Sequence, residues 1–248
     1  MSRRATVLGC PVDILDPAAF KASLPNRASG DRLTNIVTLN PEQIMAARRD
    51  PDVSGLLRRA QICTVDGVGL ALALRAQGIS DVRRITGVDL VASLAELRVP
   101  TFLLGGAPGA AEEAARRLAA RFGMAQIAGS WSGGTPKEKD DQQSIARIGL
   151  SGARAVAVAY GAPAQTAWIE RNRAALQEAG VRVAIGVGGS LDYHAGFVRR
   201  APEWAQGLGL EWLFRLIAEP WRLRRQFVLP QFAVLALAEA IRGRIGHR

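Results

Sequence analysis

Strand-length apolar runs recur along this chain at residues 35–39, 60–65, 101–104, 155–159 and 181–187, all but the first followed by a glycine-bearing turn, and each leading into a stretch with helical spacing. Few architectures accommodate that rhythm, because strands that read as unbroken apolar runs are buried on both faces and need helices to cover them. The expectation is an α/β fold with a mostly parallel sheet flanked by helices. The clearest unit starts at Thr101-Phe-Leu-Leu, turns through Gly105-Gly-Ala-Pro-Gly109 and continues over residues 110–122, where Ala114, Leu118 and Phe122 share one helical face. A second runs from Val156-Ala-Val-Ala-Tyr-Gly-Ala-Pro163 into a helix expected over residues 165–176, with Pro163 suited to its first turn. The stretch 129–143 is polar, rich in glycine and lysine, and reads as a loop.

With 248 residues, 48% of them apolar, the chain can bury one substantial core. Cys10 and Cys63 lack metal-ligand spacing and do not make a disulfide framework, which fits a reduced, cytoplasmic setting. Near the N-terminus a proline and a carboxylate, Pro11 and Asp13, stand where a signal sequence needs an apolar run. No segment reaches the roughly 18 to 20 continuous apolar residues of a spanning helix. The longest candidate, residues 227–238, is interrupted by Pro230 and Gln231. His194 and His247 are the only histidines and lie far apart, which argues against a histidine-based metal site or catalytic triad.

The formal charge of +10 calls for an anionic partner: nucleic acid, a phosphorylated substrate or an anionic membrane surface. From about residue 196 the character changes. Nine arginines, at 199, 200, 215, 222, 224, 225, 242, 244 and 248, face four glutamates and interleave with Trp204, Trp212, Phe214, Trp221 and Phe227. Arginine mixed with tryptophan and leucine at helical spacing is the composition of a helix lying in a membrane interface. The chain therefore divides into a core, residues 1–195, and a basic helical C-terminal appendage, residues 196–248. No nucleic-acid module is recognisable, so nucleic acid is not the expected partner. The missing G-x-G-x-x-G spacing counts against a nicotinamide-dependent oxidoreductase. A membrane-bound scaffold without activity stays open, and the sequence carries no signal of oligomeric state.

Parallel α/β sheets bind ligands at the carboxyl ends of their strands, beside helix N-termini that favour anions. Gly105 and Gly106 open a turn at such a place, and its glycines serve either to admit a diphosphate to the backbone or simply to make the turn. Asp66, in Thr64-Val-Asp66-Gly67, follows one strand and precedes a helix over residues 68–76. It reads as an ordinary helix N-cap or as a general base that takes the proton from an attacking hydroxyl. Arg75 and Arg84 are surface groups or the neutralisers of a diphosphate leaving group. Asp192, just after Gly186-Val-Gly-Gly-Ser190, orients a sugar hydroxyl or caps the turn.

Taken in order, the segments Thr38-Leu-Asn40-Pro-Glu, Val65-Asp66-Gly67-Val-Gly, Arg84-Ile-Thr-Gly87-Val-Asp89-Leu and Phe102-Leu-Leu-Gly-Gly-Ala-Pro-Gly109 resemble one family, the TagA, WecG and CpsF N-acetylmannosaminyltransferases of teichoic-acid and enterobacterial-common-antigen synthesis. Gly161-Ala-Pro163-Ala-Gln165, Gly186-Val-Gly-Gly-Ser-Leu-Asp192, Arg200-Ala-Pro202-Glu-Trp204, Leu210-Glu-Trp212-Leu-Phe-Arg215 and Glu219-Pro220-Trp-Arg222 continue the match. The resemblance implies a Rossmann-like core and an inverting glycosyltransferase. Such an enzyme needs no metal ion and moves a hexose from a UDP-sugar to a sugar carried on a polyprenyl diphosphate, here undecaprenyl diphosphate. It works peripherally on the inner face of the cytoplasmic membrane in cell-surface polysaccharide or exopolysaccharide synthesis. It implies Asp66 as the base, Thr38, Asn40 and Gln165 at the sugar site, and Arg84 at the phosphates. Arg215, Arg222 and Arg225 fall in the appendage that closes over the site. The chain departs from the family pattern at Ala164, where lysine is usual, at Thr166, where glutamate is usual, and through Gly129-Ser-Trp-Ser-Gly-Gly134. These changes are expected near the sugar pocket and widen the donor to glucose, glucuronic acid or another hexose.

Overall fold

The computed structural model describes residues 3–123, 127–199, 201–202, 205 and 227–245. Six strands form one parallel sheet: β3 (Thr34–Leu39), β4 (Ile62–Val65), β5 (Thr101–Gly105), β6 (Ile127–Trp131), β7 (Ala155–Ala159) and β8 (Val183–Gly186), in the order β4-β3-β8-β7-β5-β6. The α/β expectation holds, and β5, β7 and β8 are buried at every position, as two covered faces require.

One face packs Ile36, Leu103, Ala157 and Ile185 against α1 (Pro17–Ala28), α5 (Gly87–Glu96) and α6 (Ala110–Phe122). On the other, Leu104, Val156 and Val158 meet α7 (Asp141–Ser151), α8 (Ala164–Arg171) and α9 (Arg173–Glu178) through Ile148, Trp168 and Leu176. A third cluster joins Val37, Leu39 and Val65 to α2 (Pro41–Arg49), α3 (Pro51–Arg59) and α4 (Val68–Ala76). A short helix, α10 (Ser190–His194), follows β8, and a long one, α11 (Val228–Ile245), ends the described chain. α11 lies on α2 and α4 and buries Phe232, Ala236 and Ala240, one face of the helix at i, i+4 and i+8.

Three features differ from the sequence reading. Within the expected loop 129–143, the chain forms the end of edge strand β6, then a 3-10 turn at Glu138–Asp140 and the start of α7. β6 is half-buried throughout, so it lacks the apolar run that marks the inner strands. The helix expected over 165–176 breaks at Asn172 into α8 and α9. An N-terminal hairpin, β1 (Arg3–Val7) with β2 (Cys10–Ile14), was not foreseen. Its turn, Leu8-Gly9, has positive φ at both residues, 49° and 81°. Leucine is a poor signature for a turn usually announced by Asn-Gly. The hairpin covers the outer edge of β4, where the Cys63 N–H donates to Asp13 at 2.8 Å. Asp13 in turn accepts from Arg4 at 2.8 and 2.9 Å.

Candidate active site

Strand register assembles the crevice. Leu39 pairs with Val65, so Asn40 and Asp66 are the first residues beyond two adjacent strand ends, and the Asp66 N–H donates to the Leu39 carbonyl at 2.8 Å. Val37 pairs with Gly186, which brings Thr38 beside the β8 turn, and its hydroxyl donates to the Gly186 carbonyl at 2.9 Å. The Ile85 N–H donates to the Val65 carbonyl at 2.9 Å and the Thr64 hydroxyl to the Ile85 carbonyl at 3.0 Å, which delivers Arg84 and Thr86 to the same level. After β4 the chain crosses the sheet to β5, so the crevice lies near the place where the strand order reverses, the usual ligand position in such sheets.

The cavity there measures about 1060 Å³. Its wall includes Thr38, Asn40, Asp66, Arg84, Gly106, Gln165 and Asp192, which the sequence reading had singled out from six separate segments. Gly105 is not in the wall. A Cβ there would stand 2.8 Å from the Tyr160 ring and φ is +87°, so packing and backbone shape both call for glycine. Arg75 also lies outside the wall and donates to the Val82 carbonyl at 3.3 Å. Arg215, Arg222 and Arg225 lie outside the described residues, as do Arg200, Trp204, Trp212 and Trp221.

The glycine turn does not present an array of open donors. The Gly106 N–H goes to the Ala159 carbonyl at 3.2 Å, the Ala107 N–H to the Asp192 carboxylate at 3.0 Å and the Gly109 N–H to the Ser132 hydroxyl at 2.9 Å. Pro108 has none to give. Asp192 therefore caps the turn of another segment while lining the cavity. Gln165, 1% exposed, accepts the Gly188 N–H at 2.9 Å and fills the space over Gly186, where a Cβ would meet its amide at 2.8 Å.

The two helices that start at the crevice differ. Thr86 caps α5, accepting the Asp89 N–H at 3.2 Å and donating to the Asp89 carboxylate at 2.7 Å. α4 has Gly67 at its N-cap, with φ +86° and no side-chain cap, so Asp66 is not the N-cap that its position in sequence allowed. Gly67, Val68 and Gly69 line the cavity, and the first-turn N–H groups of α4 have no acceptor within the helix. They add partial positive charge beside Arg84, where the described wall holds three carboxylates, Glu42, Asp66 and Asp192, against that one guanidinium.

Several wall residues escaped the sequence reading. Glu42 sits in the quoted Asn-Pro-Glu segment, so its signal was present. Tyr160 packs edge-on against Trp168 at 5.8 Å, and burial pushes its hydroxyl up to about 12. Phe232, Ala233, Ala236 and Leu237 of α11 complete one side; they belong to the appendage, residues 196–248, but none of them is a candidate site residue in the sequence. Two departures from the family pattern, Ala164 and Thr166, lie outside the wall, and so does the stretch 129–134. Among the described residues no helix is long and apolar enough to cross a membrane, and no group of three or more His, Cys, Asp or Glu side chains is placed to hold a metal ion.

The description "Glycosyl transferase WecG/TagA/CpsF family" matches residues 5–246, nearly the whole chain, including every element that builds this crevice. The chain is a member of the WecG/TagA/CpsF glycosyltransferase family.

Proposed function

We propose that this glycosyltransferase moves a hexose, N-acetylmannosamine or a related sugar, from a UDP-sugar to a sugar on a polyprenyl diphosphate, with inversion and without a metal ion. The carrying observation is the position of Asp66: past the end of β4, beside Asn40, in the wall of the cavity at the start of α4, whose N-cap is Gly67. In this reading the Asp66 carboxylate takes the proton of the acceptor hydroxyl as its oxygen attacks the anomeric carbon. The new C–O bond forms on the face opposite the departing UDP, whose bond to the sugar breaks in the same step. Negative charge grows on the diphosphate, and the α4 N-terminus and Arg84 are the described groups suited to stabilise it.

Arg215, Arg222 and Arg225 belong to the same proposal as additional diphosphate ligands. Residues 196–248 would form an appendage that closes over the crevice and meets an anionic membrane, with about 1 kcal/mol of attraction per juxtamembrane arginine. UDP-glucose or UDP-glucuronate remains the alternative donor.

The test incubates the protein with a panel of UDP-sugars and a short-chain lipid-diphosphate sugar, and identifies the product by mass. A product one hexose heavier, formed equally in excess chelator, is expected. Absence of transfer from every UDP-sugar would remove the reading. Removing residues 196–248 should abolish both vesicle binding and turnover, and full activity of the truncated core would refute the role of the appendage.

A further inference from the structure

The cavity changes chemistry along its length. Asn40, Asp66, Gln165 and Asp192 lie at the strand ends, whereas the α4 and α11 side is built from Leu72, Ala73, Ala76, Ala233, Ala236 and Leu237. The wall follows α4 from Gly67 to Ala76, roughly 13 Å at about 1.5 Å per residue. Both walls of this arm are helical, so most of their backbone groups are already paired. Ala73 and Ala236 are buried, while Leu72 and Leu237 are 55% and 56% exposed and Phe227, another wall residue, is 66% exposed. Ile241 continues the apolar surface along α11 and is exposed.

Building on the proposed function, we infer that this arm holds the aliphatic chain of the lipid-linked acceptor, entering between α4 and α11 with its diphosphate and sugar directed toward Asp66. Arm and crevice are one cavity, so a molecule that fills both is an amphiphile with one polar and one long apolar end. A peptide in the arm would bury amide groups against a wall without polar side chains among the described residues, and each amide left unpaired there loses its hydrogen bonds to water without replacement. An isoprenoid chain has no such groups to desolvate, and its burial against alanine and leucine is favourable. Alanine at 73, 76, 233 and 236 keeps the arm open, since a larger side chain at any of them would project into it.

The experiment measures binding to the full chain by titration calorimetry, with isopentenyl diphosphate and farnesyl diphosphate as probes sharing a headgroup. The expected wild-type result is a preference of about tenfold or more for the longer chain, the equivalent of burying roughly two methylene groups. Ala233→Trp, at an exposed position that tolerates a large side chain, and Ala76→Trp should erase the preference. Val234→Gln, outside the cavity wall, should keep it. Equal affinity for the two probes in the wild type, or an unchanged preference in both tryptophan variants, would overturn the inference. Displacement of farnesyl diphosphate by oleate as readily as by unlabelled isoprenoid diphosphate would also overturn it, by reassigning the arm to membrane lipid. These readouts are of binding alone. A chain-length preference in a protein that transfers no sugar would leave the arm standing and remove only the proposed reaction.

Discussion

Glu239 on α11 accepts the Leu8 N–H with both carboxylate oxygens, at 3.0 and 2.9 Å, and so ties the C-terminal helix to the turn of the N-terminal hairpin across 231 residues of chain. Gln77, the C-cap of α4, donates to the same carboxylate at 3.0 Å. One side chain thus links three elements and holds α11 against α4, the helix that begins just beyond Asp66. Glu239→Ala leaves the Leu8 N–H without its acceptor, with an expected loss of about 1–3 kcal/mol in stability. Hydrogen exchange should accelerate in residues 228–245 first, and unchanged protection there would show that apolar packing alone holds the helix.

Asp66→Asn preserves shape and removes the proton acceptor. Turnover should fall at least about 100-fold, the usual contribution of a general base. UDP affinity should stay within a few-fold of wild type by calorimetry. An unimpaired rate would exclude the base assignment.

Gly87 lets α5 approach the β8 turn closely. A Cβ there would come within 2.7 Å of the Ser190 hydroxyl and 2.9 Å of the Val187 carbonyl. Gly87→Ala should therefore cost about 1–3 kcal/mol through overpacking, measured by denaturant unfolding. It should also raise KM for the donor, because the displaced turn carries the Gly188 N–H that Gln165 holds.

Alkaline stability is predicted to fall with a defined sign. Burial, with the nearby Asp13 carboxylate, pushes the Cys63 thiol from its ordinary value of 9.0 up to about 12, and burial raises the Tyr160 hydroxyl from 10.0 to about 12. The native state keeps protons that the unfolded chain releases above those ordinary values. The contribution is complete below about pH 9 and is lost as pH rises toward 12, at up to about 1.4 kcal/mol per pH unit for each group. Cys63→Ala should flatten the decline that begins near 9 in a chemical-denaturation series, and an unaltered slope would contradict the buried-thiol account.

Much of the fold could be read directly from residue order. Apolar runs announced five of the six parallel strands, because strands covered on both faces, including β4 beneath the hairpin, admit little polarity. β6 escaped because an edge strand can be half-polar, and the hairpin escaped because Leu8-Gly9 adopts a turn that its residue types do not advertise. Asp66 stands out in the sequence as a carboxylate just past an apolar run, whereas Asn40 and Gln165 are marked only by the family resemblance.

Residue order could not say which polar groups would be consumed by the fold. Asp192 and the glycine turn looked like independent ligand sites, yet the folded chain joins them through the Ala107 N–H, and Gln165 is spent on Gly188. Nor could it turn the run at 227–238 into a cavity wall, since its partner, α4, lies some 150 residues earlier and the pairing depends on helix packing over that distance. Local patterns record what each segment buries and where it turns. Which groups meet across the crevice follows from parallel register and helix docking, which bring distant segments within hydrogen-bond reach only after the core has closed.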